Sequence, residues 1–253
     1  MSDDASFSQV AVVILAAGLG TRMKSDKAKV LHEVLHRPMI SYVVETAAAV
    51  AGEQVVVVVG HQAERVRAVA GAEARLRFAL QEEQLGTGHA VMCALPQLQP
   101  EAEHVVILCG DVPLLTAATV EKLVADHLAH RRHLTVLAVE LDNPTGYGRI
   151  LTDGRSNLRG IVEEADADDR QKAIRLINSG IYCVERRFLA DALERIDSDN
   201  AQGELYLTDI VDVGYRQKRS LGIVVGDDAD EIVGVNSVDD LRTAESLMRK
   251  RCG

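Results

Sequence analysis

Two glycines, Gly18 and Gly20, follow an apolar run at residues 10–15, and four cations, Arg22, Lys24, Lys27 and Lys29, follow the glycines. Glycines let the backbone approach a ligand closely, and the N–H groups of such a turn converge on an anion. The cations add charge where a polyphosphate would lie. The stretch therefore reads as a phosphate-gripping loop at the exit of the first strand of an α/β sheet. Two known glycine-rich fingerprints do not fit it. The dinucleotide-binding pattern G-x-G-x-x-G wants a glycine where Met23 stands, and an acidic residue after the second strand, where Gly60-His61-Gln62 stand instead. The P-loop pattern G-x-x-x-x-G-K-[ST] is absent.

Other groups carry chemistry further along. The apolar stretch 104–108 runs into Cys109-Gly110-Asp111 and then Val112-Pro113. A strand that delivers an aspartate to its carboxyl end suits a metal ligand, and an aspartate before a turn and helix also suits a cap. The side-chain amide of Gln81 offers both a donor and an acceptor. The histidine-rich segment 127–133 falls at a predicted helix C-terminus, where cations interact favourably with the helix dipole, so it does not read as a metal site. The acidic run 163–169 reads as a mostly solvated loop, Glu163 excepted.

The whole chain bounds these readings. Its 253 residues are 47% hydrophobic but only 3% aromatic, with no Trp, so the core is aliphatic. A net charge of −10 argues against nucleic acid as a partner, and a phosphate ligand is compatible only because cations gather at residues 22–29. Cys93, Cys109, Cys183 and Cys252 form no C-x-x-C pair, which points to a reducing cytoplasm. Residues 1–8 are polar and acidic, unlike a signal peptide. No apolar run approaches the roughly 18 residues of a membrane span.

The elements that would position these groups alternate. Strands are predicted at 10–15, 54–59, 75–80, 104–108, 134–141 and 221–225. Helices are predicted from Pro38 to Gly52, at 63–70, from Gly88 to about residue 95, and at 117–131, 204–216 and 238–251. Alternation of strand and helix implies a largely parallel sheet with ligands at the carboxyl ends of its strands. Residues 142–200 are richer in Gly, Asp and Asn, with shorter elements. The expected organisation is one domain with a nucleotide-binding half at 9–141, a sugar-binding half at 142–236 and a C-terminal helix at 237–251.

LAAGLGTRM with a lysine nine residues after Gly20 resembles the signature of sugar-1-phosphate nucleotidyltransferases. QEEQLGTGHA (81–90), GDVPL (110–114), PTGYGRI (144–150), GIVEE (160–164), INSG (177–180), NAQGELYLTDI (200–210) and VGVN (233–236) narrow the resemblance. In that order they are similar to the uridyltransferase half of the bifunctional bacterial N-acetylglucosamine-1-phosphate uridyltransferases. The resemblance implies a Rossmann-like α/β fold, a mainly parallel mixed sheet flanked by helices, with a smaller sugar-binding lobe. It implies formation of UDP-N-acetylglucosamine and pyrophosphate from UTP and N-acetylglucosamine-1-phosphate. The hexapeptide-repeat β-helix that carries acetyl transfer in the bifunctional family has no counterpart in these residues.

That reaction needs no general base, because the attacking sugar phosphate is already ionised at neutral pH. It needs two polyanions brought in line and neutralised by cations, backbone N–H groups and Mg²⁺. By resemblance, the backbone of Leu15, Ala16, Ala17 and Gly18 brackets the nucleotide, and Arg22 and Lys29 are catalytic cations on the phosphates. Gln81, Gly86 and Thr87 read uracil, Asp111 and Asn236 hold Mg²⁺, and Gly148, Glu163 and Asn178 contact the amino sugar. Three positions depart from the family pattern. Leu19 replaces a phosphate-binding cation, for which Lys24 or Lys27 would compensate. Ala28 replaces a proline, which would leave the loop more mobile. Ala165 replaces a lysine at the sugar end, which leaves open another sugar-1-phosphate or nucleotide, UDP-glucose among them. A non-catalytic module that binds nucleotide-sugars is the other class of reading.

Overall fold

The computed structural model describes residues 7–252 apart from 21, 22, 24 and 233. Predicted site residue Arg22, and Lys24, lie outside the described residues. In chain order the elements are β1 (Val10–Ala16), β2 (Glu33–Val34), β3 (Arg37–Pro38), α1 (Met39–Ala51), β4 (Val55–Val59), α2 (Ala63–Ala70), β5 (Arg77–Leu80) and α3 (Thr87–Ala94). They continue with β6 (His104–Cys109), α4 (Ala117–Ala129), β7 (Leu134–Glu140), β8 (Arg149–Thr152), β9 (Leu158–Val162), α5 (Asp169–Lys172), β10 (Leu176–Glu185), α6 (Arg186–Leu193), α7 (Asp209–Arg216), β11 (Leu221–Val225) and α8 (Val238–Cys252). Nine strands share one sheet in the order β11-β7-β10-β6-β1-β4-β5, with β8 and β9 branching from β10.

The continuous apolar runs of β1 and β4 follow from helices on both faces of this sheet. Val10, Val12, Ile14, Val55, Val57 and Val59 pack with α1 on one side. Ala11, Val13, Val56 and Val58 pack with Val91 and Ala94 of α3 on the other. Side chains alternate across a strand, so a strand buried on both faces carries no polar position. Among the described residues, no helix is long and apolar enough to cross a membrane.

Two elements differ from the sequence reading. Strand β10 lies antiparallel between β6 and β7, in the middle of the sheet, although it comes from the stretch read as short irregular elements. Its pattern is broken at Asn178-Ser179-Gly180, where the register to β7 shifts and Gly180 takes φ +78°. That bulge hides the strand from a period-2 reading. The helix expected at 204–216 starts only at Asp209. Residues 205–207 are instead bonded to the β5–α3 loop and the first turn of α3: Leu205 N to Leu85 O at 2.8 Å, Gly88 N to Leu205 O at 2.8 Å, and Leu207 N to Thr87 Oγ1 at 3.0 Å.

Candidate active site

The strand registers align the ends of four strands in one row: Leu15 pairs with Cys109, Ala16 with Val59, and Val59 with Leu80. The loops that leave this edge, at 17–20, 60–62, 81–86 and 110–114, carry Ala17, Gly18, Gln81, Gly86 and Asp111 of the predicted site residues.

At the centre of the edge, Lys29 Nζ contacts both Asp111 Oδ2 and Asn236 Oδ1, the latter at 3.0 Å. Lys29 and Asp111 side chains are only 18% and 16% exposed, so the ion pair is shielded from bulk water. The backbones that carry these two side chains are anchored. Val235 N donates to Asp111 O at 2.9 Å, tying the β6 exit to the segment before α8. Ser237 N and Asn236 N donate to Asp240 Oδ2 at 2.8 and 2.9 Å, and Asp240 N donates to Ser237 Oγ at 3.2 Å. This reciprocal cap anchors the start of α8 and thereby places Asn236. A carboxylate oxygen and an amide oxygen that share one ammonium are hard donors close enough to share one metal ion, and they suit a divalent cation such as Mg²⁺. Among the described residues no three His, Cys, Asp or Glu side chains group around a metal position, so substrate oxygens would have to complete a coordination shell.

The loop carrying Lys29 is held where a proline is expected. Ala28 has φ −52°, within reach of a proline ring, but its N–H donates to Gln62 Oε1 at 3.2 Å. Gln62 Nε2 also donates to Asp26 O at 2.6 Å. The tether from residue 62 thus restrains this loop without a proline. Lys27, a candidate substitute for the missing cation at Leu19, points to Glu33 at 3.3 Å, and Leu19 is 49% exposed.

The structure gives the predicted nucleotide residues divided tasks. Leu15 and Ala16 belong to β1, where Leu15 O already accepts from Gly110 N at 2.9 Å. Ala17 O accepts from His61 N at 3.3 Å, and Gly18 faces open space, with nothing within 4 Å of a Cβ built there. Gln81 is 3% exposed, and its Nε2 lies 3.0 Å from Gly86 O and 3.2 Å from His89 Nδ1. Its amide donors are therefore engaged within the protein, and its carbonyl oxygen is what remains for a ligand. Gly86 has φ +113° and packs on the backbone of Leu205, so its conformation is required by the loop itself. Thr87 spends its hydroxyl as the acceptor for Leu207 N.

Gly148, Glu163 and Asn178 do come together. A Cβ at Gly148 would lie 3.3 Å from Glu163 Oε2 and 3.5 Å from Asn178 Cβ. Asn178 N donates to Gly148 O at 2.8 Å, and Asn178 Nδ2 donates to Tyr182 Oη at 2.8 Å. Burial pushes the Glu163 carboxyl above its usual range, with the Thr208 hydroxyl partly offsetting it. Burial and neighbouring aspartates push Asp209 up to about 6. Tyr182 and His89, hydrogen-bonded to Asn178 and Gln81, and Asp209, a like-charge neighbour of Glu163, are not singled out by sequence; only the relation Asn178–Tyr182, four apart, is local.

Two charged segments read differently in three dimensions. His127 is not a helix-end cation: it is fully buried, with Nε2 3.0 Å from His104 Nδ1 and Nδ1 2.9 Å from Thr135 Oγ1. Burial, together with neighbouring His104, lowers it to about 3, so it is neutral. The acidic run 163–169 is wired rather than simply solvated. Glu164 pairs with the buried Arg149 at 2.7 Å, Asp166 accepts from Ala201 N at 2.8 Å, and Asp168 caps α5 with Gln171. A cavity of about 910 Å³ lies at the opposite sheet edge, lined by His104, Arg131, His133 and Arg187 among others, and holds none of the predicted site residues.

The profile of the MobA-like NTP transferase domain matches residues 12–205. Two relatives called bifunctional protein GlmU, from Trichlorobacter lovleyi and Syntrophotalea carbinolica, are each 50% identical to 95% and 96% of this chain, which covers 52% of either. A third, from Desulfotalea psychrophila, is 43% identical over 96% of this chain and 71% of its own length. The chain thus spans about half the length of the first two relatives. A solved structure of a putative glucose-1-phosphate thymidylyltransferase from Bacillus anthracis, in complex with a sucrose, superposes with a TM-score of 0.74 at 20% identity and covers 95% of both chains. That likeness shows the fold: the mainly parallel mixed sheet flanked by helices of a Rossmann-like nucleotidyltransferase.

Proposed function

The chain belongs to the MobA-like NTP transferase family, and from that premise we propose that it transfers the uridylyl group of UTP to N-acetylglucosamine-1-phosphate, releasing pyrophosphate. The kinship with the GlmU proteins supports the choice of reaction. The observation that carries it in the structure is the meeting of Lys29, Asp111 and Asn236 at the carboxyl edge of the sheet. We assign residues 9–141 to nucleotide binding and 142–236 to the sugar phosphate, within one fold, in the cytoplasm.

The sugar-phosphate oxygen attacks the α-phosphorus in line, and the chain's task is to gather and neutralise the two polyanions. Backbone groups of residues 15–18 receive the triphosphate beside the open face of Gly18. Lys29 serves the α-phosphate, and Arg22 serves the departing pyrophosphate. Gln81 Oε1 accepts the uracil N3–H, which cytosine lacks, while Gly86 and Thr87 shape the loop around the base. Gly148, Glu163 and Asn178 line the amino-sugar side, where the half-buried Glu163 carboxyl offers an acceptor for a sugar hydroxyl. Asp111 and Asn236 would hold Mg²⁺, which when bound supplies charge neutralisation at the phosphate oxygens.

Pyrophosphate release, measured across UTP, CTP and dTTP with N-acetylglucosamine-1-phosphate, glucose-1-phosphate and N-acetylgalactosamine-1-phosphate, tests this. UTP with N-acetylglucosamine-1-phosphate is expected to give the highest kcat/KM. A higher value for another pair would reassign the substrate, and no release from any pair would refute the enzyme reading.

A further inference from the structure

Lys29 holds the two oxygens assigned to the metal, although its assigned work is on phosphate. We infer that Lys29 is a resident counter-ion for the Asp111–Asn236 pair, and that it is exchanged for the divalent cation and released toward the phosphates in the same event. The inference rests on the metal-site reading above.

Both oxygens are spoken for by the same ammonium: Nζ contacts Asp111 Oδ2 and lies 3.0 Å from Asn236 Oδ1. A divalent ion held by those same two oxygens would need the space the ammonium fills. Two cations cannot share that space, so occupancy by one excludes the other. Without either, Asp111 would be a carboxylate 16% exposed with no compensating charge, which is costly. The ammonium therefore keeps the site formed when no metal is present.

The base of the Lys29 side chain is fixed while its end is free to change partners. Lys29 opens the 3-10 turn Lys29–Leu31, and His32 N donates to its carbonyl at 3.1 Å. The Gly20 turn presses against it so closely that a Cβ at Gly20 would stand 2.6 Å from Lys29 Cβ. Rotation about the outer bonds of the stem then carries the ammonium from Asp111 within the neighbourhood of the glycine turn, where the triphosphate is assigned. Metal binding and delivery of Lys29 become one coupled step. Two consequences follow: metal alone binds weakly because it must displace the ammonium, and nucleotide strengthens metal binding because it gives the ammonium a new partner.

The test is Mn²⁺ binding to the whole chain without nucleotide, by electron paramagnetic resonance titration, for wild type, Lys29→Met and Asp111→Asn. Lys29→Met is expected to bind Mn²⁺ about tenfold more tightly than wild type, as for loss of one competing contact of ~1.4 kcal/mol. Asp111→Asn is expected to lose the site. Equal or weaker binding by Lys29→Met, with the site lost in Asp111→Asn, overturns the exchange and leaves the metal site standing. Undiminished binding by Asp111→Asn refutes the metal-site reading itself, and the exchange with it. A second measurement uses wild type alone: labelling of Lys29 by an amine-reactive reagent, followed by peptide mass spectrometry. Its rate is expected to rise as Mg²⁺ saturates the protein, and a rate unchanged by Mg²⁺ overturns the exchange.

Discussion

Lys29 Nζ lies 3.0 Å from Asn236 Oδ1 across a sequence separation of 207 residues. The contact joins the loop after the first strand to the segment before the last helix.

Lys29→Ala should lower kcat by about 10²-fold or more, as for loss of one preorganised charge contact in a water-poor site. Arg22→Ala should lower kcat and also weaken pyrophosphate in the reverse direction, because its assigned place is by the leaving group. Steady-state kinetics in both directions separates the two. A Lys29→Ala variant with raised KM and unchanged kcat would make Lys29 a simple binding residue.

Gln81→Ala should weaken UTP and narrow its advantage over CTP. With Nε2 committed to Gly86 O and His89 Nδ1, the side chain discriminates through one acceptor, Oε1. Loss of a single buried hydrogen bond of this kind corresponds to ~1–3 kcal/mol, or roughly 5- to 150-fold in kcat/KM. An unchanged UTP:CTP ratio would remove Gln81 from base reading.

Gly148→Ala should act on the sugar phosphate alone. The added methyl would stand 3.3 Å from Glu163 Oε2 and 3.1 Å from Ile161 Cγ2, intruding where the sugar is assigned. The expected outcome is a KM for N-acetylglucosamine-1-phosphate raised at least about tenfold, with UTP affinity by calorimetry unchanged. Equal loss of both affinities would point to a folding defect.

His127 should make the fold acid-sensitive. The unfolded chain protonates this histidine near pH 6.5, the folded chain only at about 3. Between those values the unfolded state binds more protons, so stability falls as pH drops, by up to about 1.4 kcal/mol per pH unit for this group. Urea denaturation from pH 7 to pH 4 should show that slope, reduced in His127→Gln. A His127→Gln profile parallel to wild type would assign the acid sensitivity elsewhere.

Local pattern was enough for much of this protein. The valine run 55–59, the helix from Met39 to its Gly52 cap and the strand Leu221–Val225 were legible because periodicity and punctuation are properties of neighbours in the chain. The glycine turn and the order of the motifs likewise pointed to phosphate chemistry and to the family. Tertiary structure decided what depends on distant partners. Strand β10 became central because its bulge at Asn178–Gly180 is tolerated between β6 and β7, a pairing no local pattern encodes. Residues 205–207 stayed out of a helix because their backbone groups found Leu85, Thr87 and Gly88 instead. His127 became a neutral core residue because Thr135 and His104 close around it, and Gln62 took over a restraint expected of a proline. The sequence also supplied Lys29, Asp111 and Asn236 as separate candidates. That one ammonium bridges the other two is a fact of three-dimensional packing, set by the register of β1 with β6 and by the cap that starts α8.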